Sequence, residues 1–150
     1  MAVSTAIATC PSCGRRNRVP AAARGHPRCS VCHADLPWLV DAGDDDFTEV
    51  VERSALPVLV DVWAPWCRPC RMVAPVVEQL ATERAGRMKV AKVNADLAPA
   101  TSARHRITGI PALLVYANGR EIGRTVGALP PEQLRQWVDA TVSAAPSARP

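Results

Sequence analysis

The chain is poor in aromatic residues. Six of its 150 positions carry a ring, as four Trp, one Tyr and one Phe, so a core must be assembled mainly from Val, Leu, Ile and Ala. No apolar run approaches the roughly 20 residues that a membrane-spanning helix needs. The opening stretch Met1–Thr9 has no basic cluster and is too short for a secretory apolar segment with its cleavage site. The expectation is therefore a cytoplasmic protein, in which cysteines serve as metal ligands or redox centres and not as structural disulfides. A nucleotide-binding glycine motif is also missing, so any nucleotide-derived electrons must arrive through a partner. The net charge of +4 is concentrated at the start, where Arg15, Arg16, Arg18, Arg24 and Arg28 face a single acid, Asp35. That excess is modest and has no interleaved aromatics, which argues against nucleic-acid binding.

What the chain does have is six cysteines, arranged as three Cys-x-x-Cys pairs. Cys10, Cys13, Cys29 and Cys32 form Cys-x2-Cys-x15-Cys-x2-Cys, the spacing of a four-cysteine zinc site. Two short knuckles bring four sulfurs to one tetrahedral ion and close its shell, which points to structure and not to metal catalysis. Residues 1–36 have too few apolar side chains to fold without such a cross-link. His26 and His33 are surplus to a shell that four cysteines already fill.

The third pair is Cys67-Arg68-Pro69-Cys70. It follows the apolar run Leu56–Trp63 and opens the helical pattern Arg71–Leu80. A thiol at a helix N-terminus meets unpaired N–H groups and the positive dipole end, which favours thiolate. Asp61 interrupts an otherwise apolar strand, where a carboxylate needs a task or a partner unless the strand end reaches solvent. Burial would raise its pKa toward the working range of thiols.

The remaining pattern alternates strands and helices. Leu36–Val40 reads as a short strand or linker. Gly43–Asp46 supplies turn and N-cap chemistry for a helix over Phe47–Arg53. The helix after Cys67 runs to about Ala85, with a kink expected at Pro75. Met88–Asn94 reads as a strand, Ala98–His105 as a short helix, and Ala112–Tyr116 and Glu121–Val126 as a hairpin turned by Asn118-Gly119. Pro131–Ala144 closes the chain as a helix, and residues 146–150 as a flexible tail. The order is parallel strands with helical crossovers followed by an antiparallel hairpin.

Residues from about 37 to 142 resemble a thioredoxin, and the corresponding domain is expected over residues 37–145. The resemblance rests on Val60-Asp61-Val62-Trp63-Ala64-Pro65-Trp66-Cys67-Arg68-Pro69-Cys70, on Ala91-Lys92-Val93-Asn94, on Gly109-Ile110-Pro111 and on Val126-Gly127-Ala128-Leu129. With the amino-terminal cysteines included, the whole chain resembles the zinc-binding thioredoxin-2 type of bacteria. The resemblance implies an α/β thioredoxin fold, a mixed central sheet flanked by helices, preceded by a zinc-ribbon-like module over residues 1–36. It implies a protein-disulfide reductase with Cys67 as nucleophile, Cys70 as resolving thiol, Asp61 as proton acceptor and Lys92 as its modulating partner. Pro111 is then expected in cis. Trp66, Arg68, Pro69, Gly109, Ile110, Pro111, Gly127 and Ala128 are expected to line the substrate surface. Trp38, Trp63 and Trp137 read as packing residues.

The implied partners are disulfide-containing proteins and an NADPH-dependent flavoprotein thioredoxin reductase, acting on a monomer with no bound organic cofactor and no membrane association. Arg68 departs from the glycine usual at that place, and a cation there should make the disulfide more oxidising. Ala112, where a threonine is common, is a smaller departure. The zinc site is expected to be structural or redox-sensing, releasing its metal on oxidation. The alternative functions are a more oxidising isomerase and a redox-regulated holdase or binding protein.

Overall fold

The structure is a computed structural model that describes residues 5–145. The tail expected at 146–150 lies outside the described residues. Strands β1 (Thr5–Thr9) and β2 (Arg16–Pro20) pair as an antiparallel hairpin, regular structure that the turn-rich, arginine-rich sequence did not announce. β3 (Leu39–Asp41), β4 (Val58–Trp63), β5 (Lys89–Asn94), β6 (Ala112–Ala117) and β7 (Arg120–Val126) form one sheet in the order β3-β5-β4-β6-β7. The first three are parallel, and β6 and β7 are antiparallel additions. Helices α1 (Arg68–Glu83), α2 (Pro99–Arg104) and α3 (Pro131–Ser143) complete the fold. Pro75 lies inside α1.

Both faces of the sheet are covered, which is why β4 reads as a continuous apolar run in the sequence. Along it Val58, Leu59, Val60, Asp61 and Val62 are all buried. Leu59, Val90, Leu113 and Val115 face α1 and α3, packing on Val73, Val77, Leu80, Leu134 and Val138. The alternate residues Val58, Val60, Ala91 and Val93 share the other face with Phe47, Val50 and Val51. That layer also buries Cys10, Val19, Ala21, Cys29 and Leu36 from the amino-terminal segment. Trp38 is fully buried between them, and its indole N–H donates to the Pro20 carbonyl at 2.9 Å.

Two local expectations are corrected. The segment after Gly43 is a single π-helical turn, Thr48–Glu52, with no side-chain cap among the described residues. Asp46 accepts from the Gly43 N–H instead, while Asp44 caps α2, accepting from Thr101 N and Oγ1 at 2.7 Å and from Ala100 N at 3.2 Å. A carboxylate at a helix start satisfies orphan N–H groups wherever it comes from. The Thr101 hydroxyl and N–H hold the Asp44 carboxyl below its ordinary pKa. The β6–β7 turn is as expected, with Asn118 and Gly119 at φ +53° and +80°, the left-handed pair that a tight hairpin requires.

Candidate functional site: a helix-start dithiol and a four-cysteine cluster

Strand β4 delivers the chain to the start of α1, where Cys67 is the N-cap. The Cys67 Sγ accepts the Cys70 N–H at 3.2 Å, so the sulfur occupies the place a serine or aspartate oxygen takes at other helix starts. Pro69 sits in the first turn, where its missing N–H costs nothing and its fixed φ favours the helix. Cys67 and Cys70 are joined as a disulfide with their Cα atoms 5.3 Å apart, and both are nearly covered, at 4% and 2% exposure. A bond that can open and close here leaves a thiolate under the N–H groups and dipole of α1.

The loop before β6 closes over this pair. The Ile110–Pro111 peptide is cis, and the Ile110 carbonyl lies 3.8 Å from Cys67 Sγ. Gly127, at φ +101°, donates its N–H to the Pro111 carbonyl at 2.8 Å, tying the end of β7 to the same loop. Gly109 lies against Val126, whose Cγ1 would meet a Cβ at 3.2 Å. Arg68, Pro69 and Ala128 are exposed beside them.

Trp66 is 67% exposed, and its indole N–H donates to the Asp96 carboxylate at 3.2 Å. Leu97, next to Asp96, and Val126 are exposed apolar residues. Sequence reasoning missed Asp96, Leu97 and Val126 as parts of this rim. Val126 lay inside a segment already quoted, but nothing local in the sequence links Trp66 to Asp96 in the turn after β5.

Asp61 is fully buried, and neither carboxylate oxygen has a hydrogen-bond partner among the described residues. Burial pushes its pKa up from 3.8 to about 6, against the pull of the Lys92 ammonium and with help from Glu78. Lys92 is its register partner on β5, and its Nζ stands 5.0 Å from the centre of the Trp63 ring. Glu78 was also missed, although its spacing from Cys70 and Ala74 on one helical stripe is a readable signal. The dithiol and the cis-proline loop meet at the start of α1, and Asp61 and Lys92 face each other in register on β4 and β5.

The other four cysteines form a second centre. Their sulfurs all lie within 4.8 Å of one another, with Cys10–Cys32 and Cys13–Cys29 at 3.6 Å. Tetrahedral zinc with Zn–S bonds of about 2.3 Å places its sulfurs about 3.8 Å apart, so the cluster has the size of that shell. The two knuckles are built alike. Gly14 and His33, each just after the second cysteine, are at φ +79° and +66° and donate back to the Cys10 and Cys29 carbonyls at 2.9 and 3.0 Å.

The N–H groups of Cys32 and Val31 push the Cys29 thiol down to about 6. Cys13, although the Arg15 N–H favours its thiolate, is pushed up to about 11 by burial and by the crowding sulfurs. Four thiolates at this distance need a cation. The donor set is soft and closed, which suits zinc. His33 is exposed, and His26 pairs with Asp35 at 3.0 Å, so neither is needed as a ligand.

Comparison with known proteins follows the same lines. The sequence profile of the Thioredoxin family matches residues 39–140. A thioredoxin of Haemophilus influenzae is 47% identical over 96 residues, covering 64% of this chain and 90% of that protein. Thioredoxin C-3 of Corynebacterium nephridii is 38% identical over 136 residues, 89% of this chain and 93% of that protein. The chloroplastic M-type thioredoxin of Chlamydomonas reinhardtii is 40% identical over 139 residues, 93% and 97% of the two chains. No helix among the described residues is long and apolar enough to cross a membrane. Similarity of this extent, falling on the sheet and dithiol just described, means that the chain belongs to the thioredoxin family, the thiol–disulfide oxidoreductases that reduce protein disulfides.

Proposed function

We propose that this chain is a cytoplasmic disulfide reductase of the zinc-binding, thioredoxin-2 kind, with a metal module over residues 1–36 and a reductase domain over 37–145. The observation that carries the redox half is the Cys67 sulfur set on the Cys70 N–H at the start of α1. In the reduced protein Cys67 is the thiolate. It attacks a target disulfide, forming a mixed disulfide and releasing the first target thiolate, which takes a proton from water. Asp61 accepts the Cys70 proton, and the Cys70 thiolate attacks Cys67, closing the Cys67–Cys70 bond and releasing the second target thiolate. The balance is two electrons from the dithiol to the target disulfide.

Lys92 tunes Asp61 by favouring its ionised form, as the direction of its influence indicates. An extended substrate is expected to pair with the backbone at Ile110 and to rest on Trp66, Gly109, Pro111, Gly127 and Ala128, with Arg68 and Pro69 at the margin. Two electrons return from an NADPH-dependent thioredoxin reductase. At the second centre, Cys10, Cys13, Cys29 and Cys32 hold one zinc ion that fixes the fold of the module and takes no part in electron transfer. The test is insulin-disulfide reduction by the wild type and by Cys67→Ser, with elemental analysis of the purified protein. Activity retained by Cys67→Ser would remove the dithiol mechanism, and less than one zinc per chain would remove the metal reading.

A further inference from the structure

Lys89, the first residue of β5, is fully buried, and no carboxylate pairs with it among the described residues. Its ammonium donates to the carbonyl of Ala21 at 2.6 Å and to that of Val50 at 2.7 Å. It also stands 4.0 Å from the centre of the Trp38 ring. A buried cation is costly unless its donors are met, and here two carbonyl dipoles and an aromatic face meet them. These acceptors come from separate parts of the chain. Ala21 follows β2 in the amino-terminal segment, and Val50 belongs to the π-helical turn. Trp38 binds the neighbouring Pro20 carbonyl through its own N–H. Two consecutive carbonyls at the end of β2 are thus captured by residues of the reductase domain.

The other end of β2 is tied to the cysteine cluster. Asn17, nearly buried, donates to the Arg15 carbonyl of the first knuckle at 3.0 Å. It also lies 3.6 Å from Cys29 Sγ of the second and accepts the Ser30 N–H at 3.0 Å. One short strand therefore spans from the sulfurs to Lys89. The amino-terminal segment lacks apolar mass for a core of its own, so its order depends on the cross-link at the cysteines. Without that order the Ala21 carbonyl has no fixed place, and a cage built on two carbonyls opens.

We propose that Lys89 is the residue through which metal binding at Cys10, Cys13, Cys29 and Cys32 stabilises the reductase sheet. The metal-ordered module presents Ala21 to the ammonium, and loss of the metal withdraws it. This rests on the metal reading above, and it makes the stability of the catalytic domain depend on occupancy of a site on another part of the chain. The coupling is reciprocal by linkage, so Lys89 also favours retention of the metal.

The test uses the full chain, reduced by a phosphine, with zinc added or removed by a chelator and zinc content measured in each sample. Thermal unfolding is compared for the wild type and for Lys89→Met, which keeps much of the apolar stem and loses the charge. Chelation is expected to lower the wild-type midpoint by several degrees, and Lys89→Met is expected to lose at least half of that difference. Equal differences in the two proteins overturn the coupling while leaving zinc binding intact. A wild type that binds no zinc overturns the metal reading and the coupling together. Should Lys89→Met fail to fold, hydrogen exchange in the wild type decides. Faster exchange at Val90 and in the π-helical turn after chelation, with α3 unchanged, supports the coupling. A change confined to residues 5–36 overturns it.

Discussion

Replacing Asp61 by Asn gives the sharpest test of the catalytic geometry, because one substitution moves stability and turnover in opposite directions. The carboxylate is fully buried and neither oxygen has a hydrogen-bond partner among the described residues, so its ionisation is resisted mainly by loss of water. The distance from 3.8 to about 6 corresponds to about 3 kcal/mol against the ionised form, at about 1.4 kcal/mol per pH unit. Between those two values the folded chain holds a proton that the unfolded chain releases. Folding stability therefore falls as pH rises through this window and levels off above about 6.

About 2 kcal/mol of that loss falls between pH 4.5 and pH 8. Asn cannot ionise, so the variant escapes the loss, although its amide must still be buried without obvious partners. Urea unfolding of the oxidised proteins should show the variant gaining on the wild type by about 2 kcal/mol over that pH change. Insulin reduction near pH 7 should fall at least about tenfold, since Cys70 loses its proton acceptor. Stability curves that run parallel across the pH range would refute the burial argument. Undiminished turnover would take Asp61 out of the reaction.

Four further outcomes follow from the geometry. Cys70→Ser should accumulate a mixed disulfide between Cys67 and its target, visible by mass spectrometry as a covalent adduct that added reductant releases. Arg68 is exposed, so its removal in Arg68→Gly should lower the reduction potential only by about 10–20 mV in a glutathione equilibrium, the equivalent of about 0.5–1 kcal/mol. Gly86 is at φ +81°, and a Cβ there would clash with the Asp35 carboxylate. Gly86→Ala should therefore cost about 1–2 kcal/mol in denaturant unfolding. In the zinc-loaded protein, a thiol-reactive dye should find Cys10, Cys13, Cys29 and Cys32 protected until a chelator is added.

Much of the site was legible because its chemistry is local. Cys67, Pro69 and Cys70 share one helical turn, and a cysteine before a proline-containing helix start announces its own cap. The four amino-terminal cysteines were legible through spacing, since two knuckles of identical length can each turn two sulfurs inward. The β6–β7 hairpin was legible in Asn118-Gly119. Asp61 stood out as a carboxylate in an apolar run, and its burial followed from the apolar residues on both sides of it.

What stayed hidden depends on which surfaces meet. Asp44 looked like part of the cap for the helix beside it, and it caps α2 instead, because the Thr101 N–H and hydroxyl arrive from across the fold. Trp66 meets Asp96 by the same kind of accident of proximity. Lys89 looked like an ordinary strand residue, and nothing near it in the sequence names its two carbonyl acceptors.

By itself the sequence determined the dithiol, the spacing of the four amino-terminal cysteines, the strand and helix order from β4 onward and the family, because each is written in spacing over a few residues. Only the tertiary structure decided that the amino-terminal hairpin packs into the same apolar layer as β4 and β5. It alone decided that the Asp61 oxygens have no hydrogen-bond partner among the described residues and that Lys89 is caged by Ala21, Val50 and Trp38. The reason is physical. Covalent spacing fixes what one turn can do, whereas the cost of a buried charge depends on atoms that folding brings in from distant parts of the chain.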